Sequence, residues 1–194
     1  MRRRFVLAMP GLLAACGGTP TQVFSLSASG DRGTRPAPPG RTPLVHVDRA
    51  TVADYFDRTQ MVTRTGEYRI SLHEFAVWSE PVADLIANAV VDELARRFGD
   101  DRVLRTPRGR GAPPPDARVE LDVLRFDVDE AGTATLDARW SVVPAEGLPV
   151  QRRERVLATA TDPKDPASRV VALRATLTAL SATIADAIAV PRRR

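Results

Sequence analysis

The sequence predicts an α+β domain, a mostly antiparallel sheet with two amphipathic helices packed on it. Three observations carry that expectation. Apolar residues alternate with polar ones in several short runs, most cleanly at Ala134, Leu136, Ala138, Trp140 and Val142. Two longer runs repeat instead every three or four residues, Val82 to Leu94 and Val170 to Ile188. Period two marks a strand with one buried face, and a 3.6-residue period marks a helix with one buried stripe. Short turns such as Thr65-Gly66 and Asp129 to Gly132 join neighbouring strand runs as hairpins. Helices laid on one side of a sheet bury both sets of apolar faces at once. The 194 residues suffice for one domain with its own core.

Taken in order, Val23, Phe24 and Leu26 suggest a first strand, and the proline-rich segment from Gly30 to Pro43 is a loop. From Leu44 to Asp48 the chain alternates as a strand, with Val45 and Val47 on one face. Thr51 to Tyr55 reads as a turn of helix. Met61 to Arg64, the Thr65-Gly66 turn, and Tyr68, Ile70 and Leu72 form a hairpin. The first helix opens at Ser79-Glu80-Pro81, where serine is a good N-cap and proline is tolerated in the first turn. Its stripe is Val82, Leu85, Ile86, Ala89, Val90 and Leu94, and Phe98-Gly99 ends it with a glycine suited to a left-handed C-cap. A short strand spans Arg102 to Leu104, and Arg105 to Pro115 is an exposed loop. Val119, Leu121 and Val123 share a face, but Phe126 and Val128 resume out of phase, which predicts a bulge near Leu124-Arg125. The partner strand is Ala134 to Val142, followed by the loop Glu146 to Pro149 and a third strand, Val150 to Thr161. Asp165-Pro166 opens the second helix, with Val170, Leu173, Leu177, Leu180, Ile184 and Ile188 as its stripe, ending at Pro191.

The N-terminus has the parts of a secretion signal: Arg2-Arg3-Arg4, an apolar run from Phe5 to Leu13, and small residues at Ala14-Ala15. The apolar run is short of the ~20 residues that span a bilayer, and Pro10-Gly11 interrupts it. Leu13-Ala14-Ala15-Cys16 resembles a lipobox, the signature of bacterial lipoprotein signals. The resemblance implies cleavage between Ala15 and Cys16, with diacylglycerol on the Cys16 thiol and an acyl chain on its new amino group. The chain has 1 Cys, so no internal disulfide forms. Asp directly after the lipidated cysteine marks inner-membrane retention, and Gly17-Gly18 lacks it, so the expected destination is the outer membrane, facing the periplasm. One acyl chain holds a protein marginally, two hold it stably, and three make release negligible. The expected organisation is a signal peptide over 1–15, lipidated cysteine and tether over 16–22, a domain over 23–190 and a basic tail over 191–194. Six extended residues between Cys16 and the first strand reach only ~20 Å, which keeps the domain close to the lipid surface.

Charge excludes little by itself. The formal +4 arises from 28 basic against 24 acidic residues; loss of Arg2, Arg3 and Arg4 with the signal leaves 25 against 24. A near-neutral periplasmic protein is no nucleic-acid binder. The lone lysine, Lys164, sits in Pro163-Lys164-Asp165, not in the Gly-Lys-Ser/Thr of a nucleotide-binding loop. With only His46 and His73, and the thiol carrying lipid, no metal site is expected. Ser71, His73 and Glu74 lack a nucleophile elbow and read as solvated strand residues. Asp127, Asp129 and Glu130 read as carboxylates facing water at a hairpin end. No catalytic residue is assigned and no enzyme activity is expected. The candidate partner-contacting residues are Trp78, Arg105, Arg108 and Arg110. Tryptophan is enriched at interface hot spots, although one beside a helix start more often packs beneath it. The three arginines suit anionic headgroups or an acidic partner, although a solvated loop is the simpler and more common explanation.

The order of these elements, together with Asp57-Arg58-Thr59-Gln60, Val62-Thr63-Arg64, Trp78-Ser79-Glu80-Pro81, Arg125-Phe126, Arg139-Trp140 and Cys16, resembles the ABC-type transport auxiliary lipoproteins, the PqiC-like family. The chain departs from the family's pattern at Val23-Phe24, where paired tyrosines are common, and at Val77, where a basic residue is common. The resemblance implies a non-enzymatic accessory of an intermembrane lipid transport system. It would dock an MCE-domain protein, itself served by a permease and an ATPase, at the outer membrane, and it could form a homo-oligomer. No cofactor is implied beyond the lipid on Cys16. The alternatives are an envelope assembly or cell-wall synthase-activating lipoprotein and, third, a periplasmic lipid-modifying enzyme.

Overall fold

In the computed structural model, which describes residues 20–27, 42–106 and 112–189, the elements follow as β1 (Gln22–Phe24), β2 (Val45–Val47), β3 (Thr51–Val52), β4 (Gln60–Arg64), β5 (Ile70–Trp78), α1 (Val82–Phe98), β6 (Val103–Arg105), β7 (Ala117–Asp129), β8 (Thr133–Pro144), β9 (Val150–Thr159) and α2 (Pro166–Ala189). The expected α+β class holds, and the sheet carries both helices. It is not mostly antiparallel but mixed. The ladders β4–β5, β7–β8 and β8–β9 are antiparallel, as their turns predict. Five shorter pairings are parallel: β1 with β5, β6 with β2, and β2, β3 and β4 each with β7.

The physical reason is the length of β7. At about 3.3 Å per residue its 13 residues span roughly 43 Å, far more than any of the short strands beside it. β2 pairs with Ala117–Val119, β3 with Asp122–Val123 and β4 with Val128–Asp129, so residues 45–64 run along one edge of β7 in its own direction. Along its other edge β8 follows it as a hairpin. The expected bulge is present, with the register shifting between Val123 and Arg125 across Leu124. That shift keeps both Val119-Leu121-Val123 positions and Phe126-Val128 on the buried side.

Several element ends differ from the local expectation. Thr51–Val52 is a two-residue strand, not a turn of helix, because β7 offers it an open edge. α1 begins at Val82 with Pro81 as its cap residue and no side-chain cap, so Ser79 is not the N-cap. Gly99 has φ 100° and ψ 150°, a conformation that is essentially glycine's alone but is not the left-handed cap. Asp165 does cap α2, accepting from Ala167 N–H and Ser168 N–H, each at 3.1 Å.

The core lies between the helices and one face of the sheet. Leu173, Leu177, Leu180 and Ile184 of α2 are fully buried. α2 is long and apolar enough to span a membrane by length and composition, yet this stripe packs into the domain. α1 is not limited to one buried stripe, since Ala83 and Ala87 are buried beyond it.

Candidate functional site

Most of the motif residues that stand out in the sequence are used to hold the fold. Arg64 and Arg125 both point to Asp127, which is completely buried on the sheet face away from the helices. Its carboxylate accepts from Tyr55 Oη at 2.9 Å, from Arg64 Nε at 3.2 Å and Nη2 at 2.9 Å, and from Arg125 Nε at 2.9 Å. Asp127 therefore does not face water. Burial first, then the Asp127 charge, pushes the Tyr55 phenol up to about 12. Asp129 is also engaged, accepting from Thr133 N–H across the β7–β8 turn at 2.8 Å. Phe126 packs on Phe56, with ring centroids 6.4 Å apart.

Thr63 and His73 meet Arg169 of α2, a guanidinium only 8% exposed. Arg169 donates to Pro163 O at 2.6 Å, Thr63 Oγ1 at 2.7 Å and His73 Nε2 at 2.8 Å. A guanidinium cannot accept, so His73 Nε2 is the acceptor and the ring is neutral with its proton on Nδ1. Burial and the neighbouring Arg169 charge lower the His73 pKa. His73 is thus a part of the packing and not a solvated strand residue. The signal was present in the spacing, since Arg169 lies four and eight residues before Leu173 and Leu177 on the same stripe.

Two motif segments remain at the surface, and the fold brings them together. Trp78 N–H donates to Thr59 O at 2.8 Å and Ser79 N–H to Phe24 O at 2.8 Å, joining the end of β5 to the loop before β4 and to β1. A cleft of about 510 Å³ opens there, lined by Asp57, Arg58 and Thr59 on one side and by Trp78, Ser79, Glu80 and Pro81 on the other, with Arg49 at its rim. Arg49 also lines a groove of about 670 Å³ across β7, β8 and β9, which includes Glu120, Asp122, Arg139, Arg152 and Arg153. The two hollows share Arg49 as a lining residue.

The groove's charges are largely committed within the chain. Arg139 pairs with Asp122 at 3.4 Å, and Ser141 donates to Glu120 at 2.8 Å. Arg152 lies over the Trp140 ring, 5.9 Å from its centroid, while Trp140 Nε1 donates to Glu154 at 3.0 Å. Arg153 in the groove and Arg155 beyond it each bond to Asp137 at 2.9 Å. The Arg153 hydrogen bond outweighs burial and, with Arg155, brings the Asp137 pKa down to about 2. In the cleft the balance differs. Asp57, Arg58 and Glu80 are exposed, and the first two have no ion-pair partner among the described residues.

Trp78 is 7% exposed and packs as core against the helix start, closing over Phe56, Val82 and Phe126. Only its outer edge lines the cleft. Arg105 ends β6 and is not in a solvated loop: it donates to Asp84 Oδ1 at 3.0 Å and Asn88 Oδ1 at 2.8 Å. Desolvation opposes the Asp84 carboxylate, but Arg105 and Arg49 outweigh it and hold its pKa below the usual carboxylate range. Ala15, Cys16, Arg108, Arg110 and the tail 191–194 lie outside the described residues.

The model of the family described as "ABC-type transport auxiliary lipoprotein component" matches residues 24–185. The chain belongs to this family. The match begins at β1 and ends in α2, so it takes in both cleft segments and the Asp127 and Arg169 clusters. Among solved structures, a crystal structure described as that of an uncharacterized protein superposes with a TM-score of 0.71 at 18% identity, covering 88% of this chain and 100% of the other. Protein XCC0632 from Xanthomonas campestris, of the DUF330 family, has a TM-score of 0.63 at 18% identity, covering 84% of this chain and 92% of its own. At these identities the likeness is one of fold. Among curated proteins, none matches the chain by sequence.

Proposed function

We propose that this lipoprotein is anchored through Cys16 to the outer membrane, facing the periplasm, and is a non-enzymatic accessory that docks an MCE-domain partner of an envelope ABC-type lipid transport system. The observation that supports the reading most is the family match over 24–185, whose members are auxiliary components of transport systems. The cleft between Asp57–Thr59 and Ser79–Pro81 is the docking surface in this reading. Asp57 and Arg58 are not consumed by internal pairs among the described residues, in contrast to the charges of the groove beside it, while Glu80 is held only by Asn88 at 3.4 Å and Arg49 pairs with Asp84. Charges left at a rim steer association and set specificity more than raw affinity.

Three measurements test it. Mass spectrometry of protein from its native membranes should show Cys16 as the first residue, carrying three acyl chains, and Cys16→Ala should accumulate as uncleaved precursor outside the outer-membrane fraction. A photo-crosslinker at Ser79, which lines the same cleft, should capture the MCE-domain protein encoded with the transport system. The pair Arg58→Glu and Glu80→Arg should weaken that capture at least tenfold with the melting temperature unchanged. Capture of a cell-wall synthase or an outer-membrane assembly factor instead would favour the envelope-assembly alternative. Phospholipid turnover by the purified domain would overturn the non-enzymatic reading.

A further inference from the structure

We propose that the tip of the β4–β5 hairpin, led by Tyr68, is a membrane-contacting surface that rests in the headgroup layer of the bilayer holding the anchor. The inference rests on the acylation of Cys16 proposed above. It follows from chain direction. β1 is parallel to β5, with Gln22 opposite Ala76 and Phe24 opposite Trp78. The chain upstream of Gln22 therefore leaves in the direction of the β5 start, where the hairpin turns at residues 65–69. Five residues lie between Cys16 and Gln22, six residue steps with a reach of about 20 Å. Along β5, the eight residues from Ala76 back to Tyr68 project about 26 Å the same way at ~3.3 Å each. A bilayer within the tether's reach on that side meets the hairpin tip.

The surface chemistry agrees. Tyr68 is 92% exposed, an aromatic ring at a loop tip whose hydroxyl donates only to the adjacent Glu67. Tyrosine is enriched where one end of a side chain meets hydrocarbon and the other meets water. Other exposed large apolar residues lie toward the same end of the sheet: Leu72 behind the tip, Leu157 near the end of β9, and Val171 in the second turn of α2. Among the described residues the charges at this end are mostly acidic, with Glu67, Asp129, Glu130, Asp162 and Asp165 against Arg64, Arg69 and Lys164, and Arg64 is paired with the buried Asp127. The contact is thus apolar and suits a zwitterionic lipid surface.

The test uses the full acylated protein reconstituted into phosphatidylcholine and phosphatidylethanolamine vesicles with brominated acyl chains. Trp78 and Trp140 are 7% and 2% exposed and supply a shielded background. Tyr68→Trp should emit to the blue and be quenched at least twice as strongly as Leu148→Trp, placed in the β8–β9 loop at the opposite end. Replacing part of the lipid with phosphatidylglycerol should lower that quenching. Equal quenching of the two variants, or quenching that rises with anionic lipid, overturns the proposal. Mass spectrometry of the same sample separates the two failures: acylated protein with an unquenched Trp removes the hairpin contact alone, whereas a bare Cys16 removes the anchor and the contact with it.

Discussion

Asp127 is the residue whose removal should reveal most about what holds the sheet. It is 0% exposed and accepts four hydrogen bonds, from Tyr55, twice from Arg64, and from Arg125. Asp127→Ala leaves two guanidiniums and a phenol facing a space with no acceptor. Breaking a buried ion pair costs about 3–5 kcal/mol. Here Arg64 and Arg125 keep 22% and 31% of their side chains exposed and recover part of that through water, so about 3 kcal/mol is expected, at the low end of that range. With a urea dependence of about 2 kcal/mol per molar, the unfolding midpoint should fall by about 1.5 M. Asp127→Asn retains an acceptor for Tyr55 and should cost roughly half as much, since the charge is lost but a hydrogen bond remains. A second readout follows from the 2 tyrosines in the chain. In a Tyr68→Phe background the tyrosinate absorbance reports Tyr55 alone, and Asp127→Asn should move its titration down from about 12. It should stay above the ordinary 10.0, because burial is the larger cause and remains. A midpoint shift below about 0.3 M with an unmoved Tyr55 titration would show that the cluster is a surface feature and refute the reasoning.

Three further outcomes can be measured on the same domain. His73 has a folded-state pKa below its ordinary 6.5, so the unfolded chain takes up the proton first and stability falls as pH drops through that value. His73→Gln keeps an acceptor for Arg169 and should reduce the loss of melting temperature between neutral and mildly acid pH. It should not abolish it, because the His46 pKa is also lowered, by burial first and then by Arg118; an unchanged slope would remove His73 from the network. Gly132 has φ +87°, and an added Cβ would lie 2.9 Å from Pro163 Cγ, so Gly132→Ala should lower the melting temperature by about 5 °C or more through left-handed strain and the clash. Leu177 is fully buried, so Leu177→Asp places an unpaired charge in the core at a cost of several kcal/mol. An unchanged melting curve would mean that α2 is not docked on the sheet.

The features legible in the chain are those an element encodes for itself. The alternation at 134–142 specifies β8, the phase slip at Leu124 specifies the bulge in β7, and the repeat from Val170 to Ile188 specifies the buried stripe of α2. Each follows from a local period, which the backbone turns into a face before any other element arrives. The parallel pairings were not legible. β2, β3 and β4 find their places on β7 across gaps of about 70 residues, with no turn chemistry to announce them. The fate of charges was equally hidden. Asp127 occupies a solvent-side position by alternation, and it is buried because Tyr55 and Arg64, distant in sequence, close over it.

What the sequence alone determined, then, is the α+β class and the faces of its longest strands and second helix. Only the tertiary structure decided that the sheet is mixed, that Arg105 and Asp127 are tied into the fold, and that residues 57–59 and 78–81 share one cleft. The division has a physical cause. Side-chain periodicity is a property of one segment, whereas the burial of a charge and the shape of a cleft depend on which donors and surfaces other segments bring to the same place.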